Sequence, residues 1–128
     1  MNTGSECRRI DAAPGAALAE LELSDLNVDQ TLLSMKGISL LIFTGAGCAN
    51  CRVARAQLPG MPLGVHRLCW IDAGDSYGAV QRYEVFHLPA MFVIRDGEFF
   101  GELAAQLLAT SLNHGLAEAL RRPPEELP

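Results

Sequence analysis

Ile38-Ser-Leu-Leu-Ile-Phe43, then Thr44-Gly-Ala-Gly47, then Cys48-Ala-Asn-Cys51 are the residues that decide the fold of this 128-residue chain. The first six form a short, nearly continuous apolar run, which suits a β-strand buried on both faces. The next four are small and form a turn. Cys48 opens a helix over 48–58, which Pro59-Gly60 must stop. A cysteine in that place has a chemical consequence. Free backbone N–H groups and the positive end of the helix dipole stabilise a thiolate over a thiol. The site also lies at the carboxyl end of a strand, where open α/β sheets place their ligands. Cys51, three residues on, is close enough to close a small disulfide. Arg52 and Arg55 follow within two turns, and helical side chains lean toward the N-terminus, so either cation is placed to favour the Cys48 thiolate.

The flanking sequence extends the pattern. Leu18 to Leu23 ends in alternating apolar and acidic residues and reads as a strand. Ser24 is a candidate cap for a helix with Leu26, Val28, Leu32, Leu33 and Met35 as its apolar positions, ended by Gly37. Val65 to Ile71 is a third strand. Asp75 or Ser76 caps a short helix through Tyr83, and Met91 to Arg95 is a fourth strand. Asp96-Gly97 is a strong hairpin signal and leads into Glu98 to Leu103. Thr110 or Ser111 caps a last helix with Leu112, Leu116, Ala119 and Leu120 inside. A β-α-β start with a closing hairpin implies an α/β fold, a central mixed β-sheet flanked by helices on both faces. The expected organisation is a flexible arm over 1–17, one domain over 18–122 and a disordered tail over 123–128.

Leu40-Leu-Ile-Phe-Thr-Gly-Ala-Gly-Cys48-Ala-Asn-Cys51-Arg52 resembles the active-site strand, turn and helix of the thioredoxin family. Tyr83-Glu-Val-Phe-His-Leu88-Pro89-Ala-Met-Phe-Val-Ile-Arg-Asp-Gly97 resembles its second landmark: an aromatic residue, a bend, a cis-proline, an apolar strand and a glycine turn. The resemblance covers about residues 18–122 and implies a thioredoxin-like fold. It makes Cys48 the attacking cysteine, Cys51 the resolving one and Pro89 the cis-proline, with the Leu88 backbone offered to a substrate chain. Ala49 and Asn50 between the cysteines, together with Arg52 and His87, become the modulating residues. The departures are specific. Gly47 stands where the family keeps an aromatic platform, and no proline separates the cysteines. Ile42 replaces the buried aspartate six residues before the first cysteine, and Leu68 stands near the family's lysine.

Composition bounds the partners. Fifteen acidic residues against ten basic ones leave a formal charge of −5, which argues against nucleic acid or an anionic membrane. No apolar run approaches the roughly 20 residues that span a bilayer. The start over 1–11 is charged, and the Ala-rich stretch after it is broken by Pro14 and Gly15; neither is a secretory signal, so a cytoplasmic protein is expected. In that compartment cysteines are usually free, catalytic or metal-binding. Cys48 and Cys51 with Cys7, Cys69, His66 or His87 offer a metal set on paper. The last four are scattered singles, so no metal site is expected, and no cofactor. Cys69, inside Leu68-Cys-Trp-Ile71, reads as a buried structural thiol, and Cys7 as an exposed one. The function these readings imply is a thiol–disulfide oxidoreductase acting on protein disulfides through Cys48 and Cys51. Its partners would be those substrates and a recycling reductase, with the chain a monomer or weak dimer. The alternative is a thioredoxin-fold assembly factor or chaperone-like binding protein without redox turnover.

Overall fold

A computed structural model describes residues 17–128. The flexible arm expected over 1–17 and the exposed thiol expected at Cys7 lie outside the described residues, apart from Ala17. Nine elements form the domain: β1 (Ala19–Leu23), α1 (Val28–Ser34), β2 (Ile38–Thr44), α2 (Ala49–Gln57), β3 (Arg67–Asp72), α3 (Tyr77–Arg82), β4 (Ala90–Arg95), β5 (Glu98–Leu103) and α4 (Ala109–Leu120). A 3-10 turn, Leu58–Gly60, ends α2 at the proline.

The five strands lie in the order β1-β3-β2-β4-β5. The first three are parallel and the last two antiparallel to their neighbours. β2 and β4 are therefore central, and their apolar runs are buried on both faces. Leu40, Ile42, Trp70, Met91 and Val93 pack beneath α2 and α4, against Ala54, Leu58, Leu112, Leu116 and Ala119. Leu41, Phe43, Cys69, Ile71 and Phe92 face α1 and α3, against Val28, Leu32, Ala79 and Tyr83. Strand alternation sends successive side chains to opposite faces, so one five-strand sheet supplies both cores. Asp96 and Gly97 both take positive φ in the β4–β5 hairpin, as a two-residue turn matching the strand twist requires.

Several local expectations are corrected. α1 starts only at Val28, so Leu26 lies in the preceding turn, 93% exposed, and Leu33 points away from the sheet. Ser24 caps the turn that leads into α1: its Oγ accepts the Leu26 N–H (3.2 Å), its main-chain N–H donates to Asn27 Oδ1 (2.9 Å), and its carbonyl accepts the Val28 N–H (2.9 Å). The N-terminus of α3 is not capped by Asp75 or Ser76. The Asp25 carboxylate accepts the N–H groups of Gly78 (2.9 Å) and Ala79 (2.6 Å), and Ser76 Oγ is buried without a partner. α4 begins at Ala109, which places Thr110 and Ser111 inside its first turn and leaves Leu108 at the cap. The stretch 123–128, expected to be disordered, crosses the sheet edge: Glu125 bridges Phe99 and Leu127 packs on the α1/α3 face.

Candidate functional site

β2 ends at Thr44 and delivers the chain to the cysteine loop. Gly47 has φ +78°, in the left-handed region that glycine enters without steric cost. The thioredoxin resemblance would put an aromatic platform here, and the backbone conformation explains a glycine instead. Cys48 is the N-cap of α2, and its Sγ accepts the main-chain N–H of Cys51 at 3.1 Å. Cys48 and Cys51 are disulfide-bonded, with Cα atoms 5.2 Å apart. Cys48 is half-buried, whereas Cys51 is only 2% exposed. Ala49 and Asn50 are exposed between them.

The Leu88–Pro89 peptide bond is cis. Leu88 packs against the cysteine loop at Gly45, where an added Cβ would meet Leu88 Cδ1 at 2.7 Å. A groove of about 550 Å3 lies beside the pair, lined by Asn50, Val53, His87, Leu88, Pro89 and Leu107 among others. Of the residues singled out in the sequence, Asn50, His87, Leu88 and Pro89 thus share one wall system. His87 is exposed and its Nε2 lies 2.9 Å from Glu102 Oε2.

Arg52 and Arg55 fall on the other side of Cys51, around a second opening of about 390 Å3 that also contacts Thr44 and Gly45. Arg55 does not serve Cys48. Both its terminal nitrogens donate to the Glu22 carboxylate, and its guanidinium lies 4.3 Å over the Trp70 ring. Trp70 Nε1 donates in turn to Glu20 (2.8 Å). Alternation over Ala19–Leu23 places Glu20 and Glu22 on one face, which the sequence shows; that α2 would bring an arginine to them it does not. Arg52 remains exposed at the mouth of the opening.

Ile42 is fully buried, flanked in register by Trp70 and Met91. Where the thioredoxin resemblance would put a buried carboxylate, this chain has close-packed hydrocarbon. Cys69 belongs to the opposite face of the sheet from α2, where burial pushes its thiol up to about 11 from an ordinary 9.0. His66 accepts the Ile38 N–H on Nδ1 (2.9 Å) and serves the start of β2. Among the described residues no three His, Cys, Asp or Glu side chains gather as a metal site.

Solved structures share this arrangement of elements. Human ERp44 in a zinc-bound form matches with a TM-score of 0.55 at 16% identity, over 80% of this chain and 30% of that one. A designed protein matches with a TM-score of 0.62 at 19% identity, over 80% of this chain and 94% of that one. The fold is thioredoxin-like. No family model and no curated protein matches the sequence. What these solved structures share with this chain is the fold; the chain spans less than a third of the ERp44 structure. Among the described residues no helix is long and apolar enough to cross a membrane.

Proposed function

We propose that the protein is a thiol–disulfide oxidoreductase acting on protein disulfides through Cys48 and Cys51. One observation carries the reading: Cys48 caps a helix with its sulfur on the Cys51 N–H and reaches solvent, while Cys51 is shielded behind it. In the dithiol form the same amide and the positive end of α2 stabilise a Cys48 thiolate. That thiolate attacks one sulfur of a substrate disulfide. A bond forms between Cys48 and that sulfur, and the substrate's other sulfur leaves as a thiolate. Cys51 then gives its proton to water and attacks Cys48. The Cys48–Cys51 bond closes and the second substrate thiolate departs. Two electrons have passed to the substrate, and a partner reductase must return two. The potential of the pair against glutathione sets which direction dominates. The groove beside Leu88 and Pro89 would hold the chain that carries the substrate disulfide.

A second reading has its own observation. With Ile42 sealed in hydrocarbon, no buried carboxylate among the described residues takes the Cys51 proton, which suits a binding module that does not turn over. The two readings are separated by trapping. Cys51→Ser should accumulate partners disulfide-bonded to Cys48, visible by mass spectrometry, and Cys48→Ser should abolish exchange. Alkylation of the native dithiol should label Cys48 first. Absence of any mixed disulfide from Cys51→Ser would favour the binding module, and faster labelling of Cys51 would reverse the roles.

A further inference from the structure

β5 is an edge strand, yet its outer side is occupied. Phe99 exchanges two main-chain hydrogen bonds with Glu125, each 2.8 Å. Arg122 Nη1 donates to the carbonyls of both Phe100 and Glu102, each at 2.9 Å. Between those carbonyls lies Gly101, with φ +90°. There the pairing with β4 slips by one residue, from Ile94 opposite Phe99 to Phe92 opposite Glu102. Such a bulge leaves main-chain groups unpaired and re-aims the side chains beside it. Arg122 takes up the carbonyls on either side of Gly101, and a Cβ at Gly101 would stand 2.6 Å from its Nη1.

Glu102 is one end of a contact that reaches the groove. Its carboxylate meets His87, which lines the groove beside Leu88 and Pro89. Both partners are substantially exposed. Exposed pairs of this kind are weak by themselves and hold one geometry only where their backbones are held. A charged donor on two carbonyls is a strong backbone anchor.

We propose that Arg122 is a positioning residue for the groove: it locks the β5 bulge, and the bulge sets the Glu102–His87 pair on the groove wall. The functional part of this inference rests on the groove being the docking site described above. The geometric part does not.

The experiment compares full-length Arg122→Ala, Arg122→Lys and Glu102→Gln, each checked for folding by circular dichroism. The His87 ring resonances and the kinetics with a protein disulfide are then measured. Arg122→Ala should shift the His87 ring in the same direction as Glu102→Gln, and Arg122→Lys should restore part of the original position. KM should rise about threefold or more with kcat nearly unchanged, the mark of lost ground-state docking. Adding Arg122→Ala to Glu102→Gln should raise KM no further, since both act through one contact. A folded Arg122→Ala with His87 unmoved overturns the proposal, as does a KM effect that multiplies with that of Glu102→Gln. Should Arg122→Ala not fold, Arg122→Lys carries the same ring comparison. If no variant, nor the parent chain, reduces any disulfide, the docking reading fails, and the His87 ring still decides the role of Arg122.

Discussion

Three cysteines among the described residues have three environments, and each sets a different chemistry. Cys48 has a helix amide on its sulfur and access to water. Cys51 is shielded behind it. Cys69 is sealed among Leu41, Ile71 and Phe92 on the far face of the sheet. Burial holds Cys69 in the thiol form, with Arg67 and Ser39 opposing weakly. Its folded pKa, about 11, lies above the ordinary 9.0, so between those values the unfolded chain loses a proton that the folded chain keeps. The contribution of Cys69 to stability should therefore be constant below pH 9 and fall as the pH rises toward 11. Urea unfolding across that range should show a steeper decline for the parent chain than for Cys69→Ala; parallel declines would refute the assignment. Cys69→Ala should also cost about 1–2 kcal/mol at neutral pH through the small cavity it leaves, while keeping disulfide exchange. Ile42 carries the other residue-scale prediction. An isoleucine can take no proton from Cys51, so resolution of a Cys48 mixed disulfide should be slow and quicken with pH. General-base help is typically worth about 10²–10⁴, and less for a thiol than for an alcohol. Ile42→Asp should speed resolution near neutral pH in single-turnover kinetics and lower stability, since its carboxylate enters an apolar strand. Fast, pH-independent resolution in the parent chain would show that the position is idle.

At the scale of elements, two short helices are held in different ways. α2 begins on a sequence-local cap: Cys48, three residues before the N–H it accepts. That cap was legible because both partners lie in one motif. α3 has only six residues, too few to be stable alone. Its cap is Asp25, 53 and 54 residues away, in the turn after β1. Caps are usually adjacent in sequence, which points to Asp75 or Ser76; β1 and β3 being neighbours is what brings Asp25 there. Asp25→Ala should remove two charge-assisted hydrogen bonds and cost about 1–2 kcal/mol. Calorimetry should show the loss as a Tm lower by several degrees. Asp75→Ala, at an exposed position, should leave Tm within a degree or so. Equal effects from the two would return the cap to the local residue.

For the whole molecule, the chain closes on itself around one edge. α4 packs on the α2 face, Arg122 and Glu125 cross the rim of β5, and Leu127 reaches the α1/α3 face beside Phe99. An uncovered edge strand offers unpaired N–H and C=O groups to another chain. Removing residues 122–128 should therefore lower Tm and produce concentration-dependent self-association in analytical ultracentrifugation. A truncated chain that stays monomeric and equally stable would show that the crossing is incidental. Pro123-Pro124 made this stretch look structureless, since prolines remove donors; its single bridge and one arginine are long-range pairings with no local pattern. The same division runs through the molecule. The apolar run Ile38–Phe43, the small-residue turn, the Cys48–Cys51 spacing and Asp96-Gly97 each act within a few residues, so periodicity, turn chemistry and helix polarity determined the strands, the hairpin and the placing of a cysteine at a helix start. The Glu22–Arg55–Trp70 stack, the Asp25 cap, the Glu102–His87 pair and the Arg122 clamp join residues 15 to 54 apart. Their partners share no element, and only the strand order and the packing of helices on the sheet decided which of many polar side chains would meet.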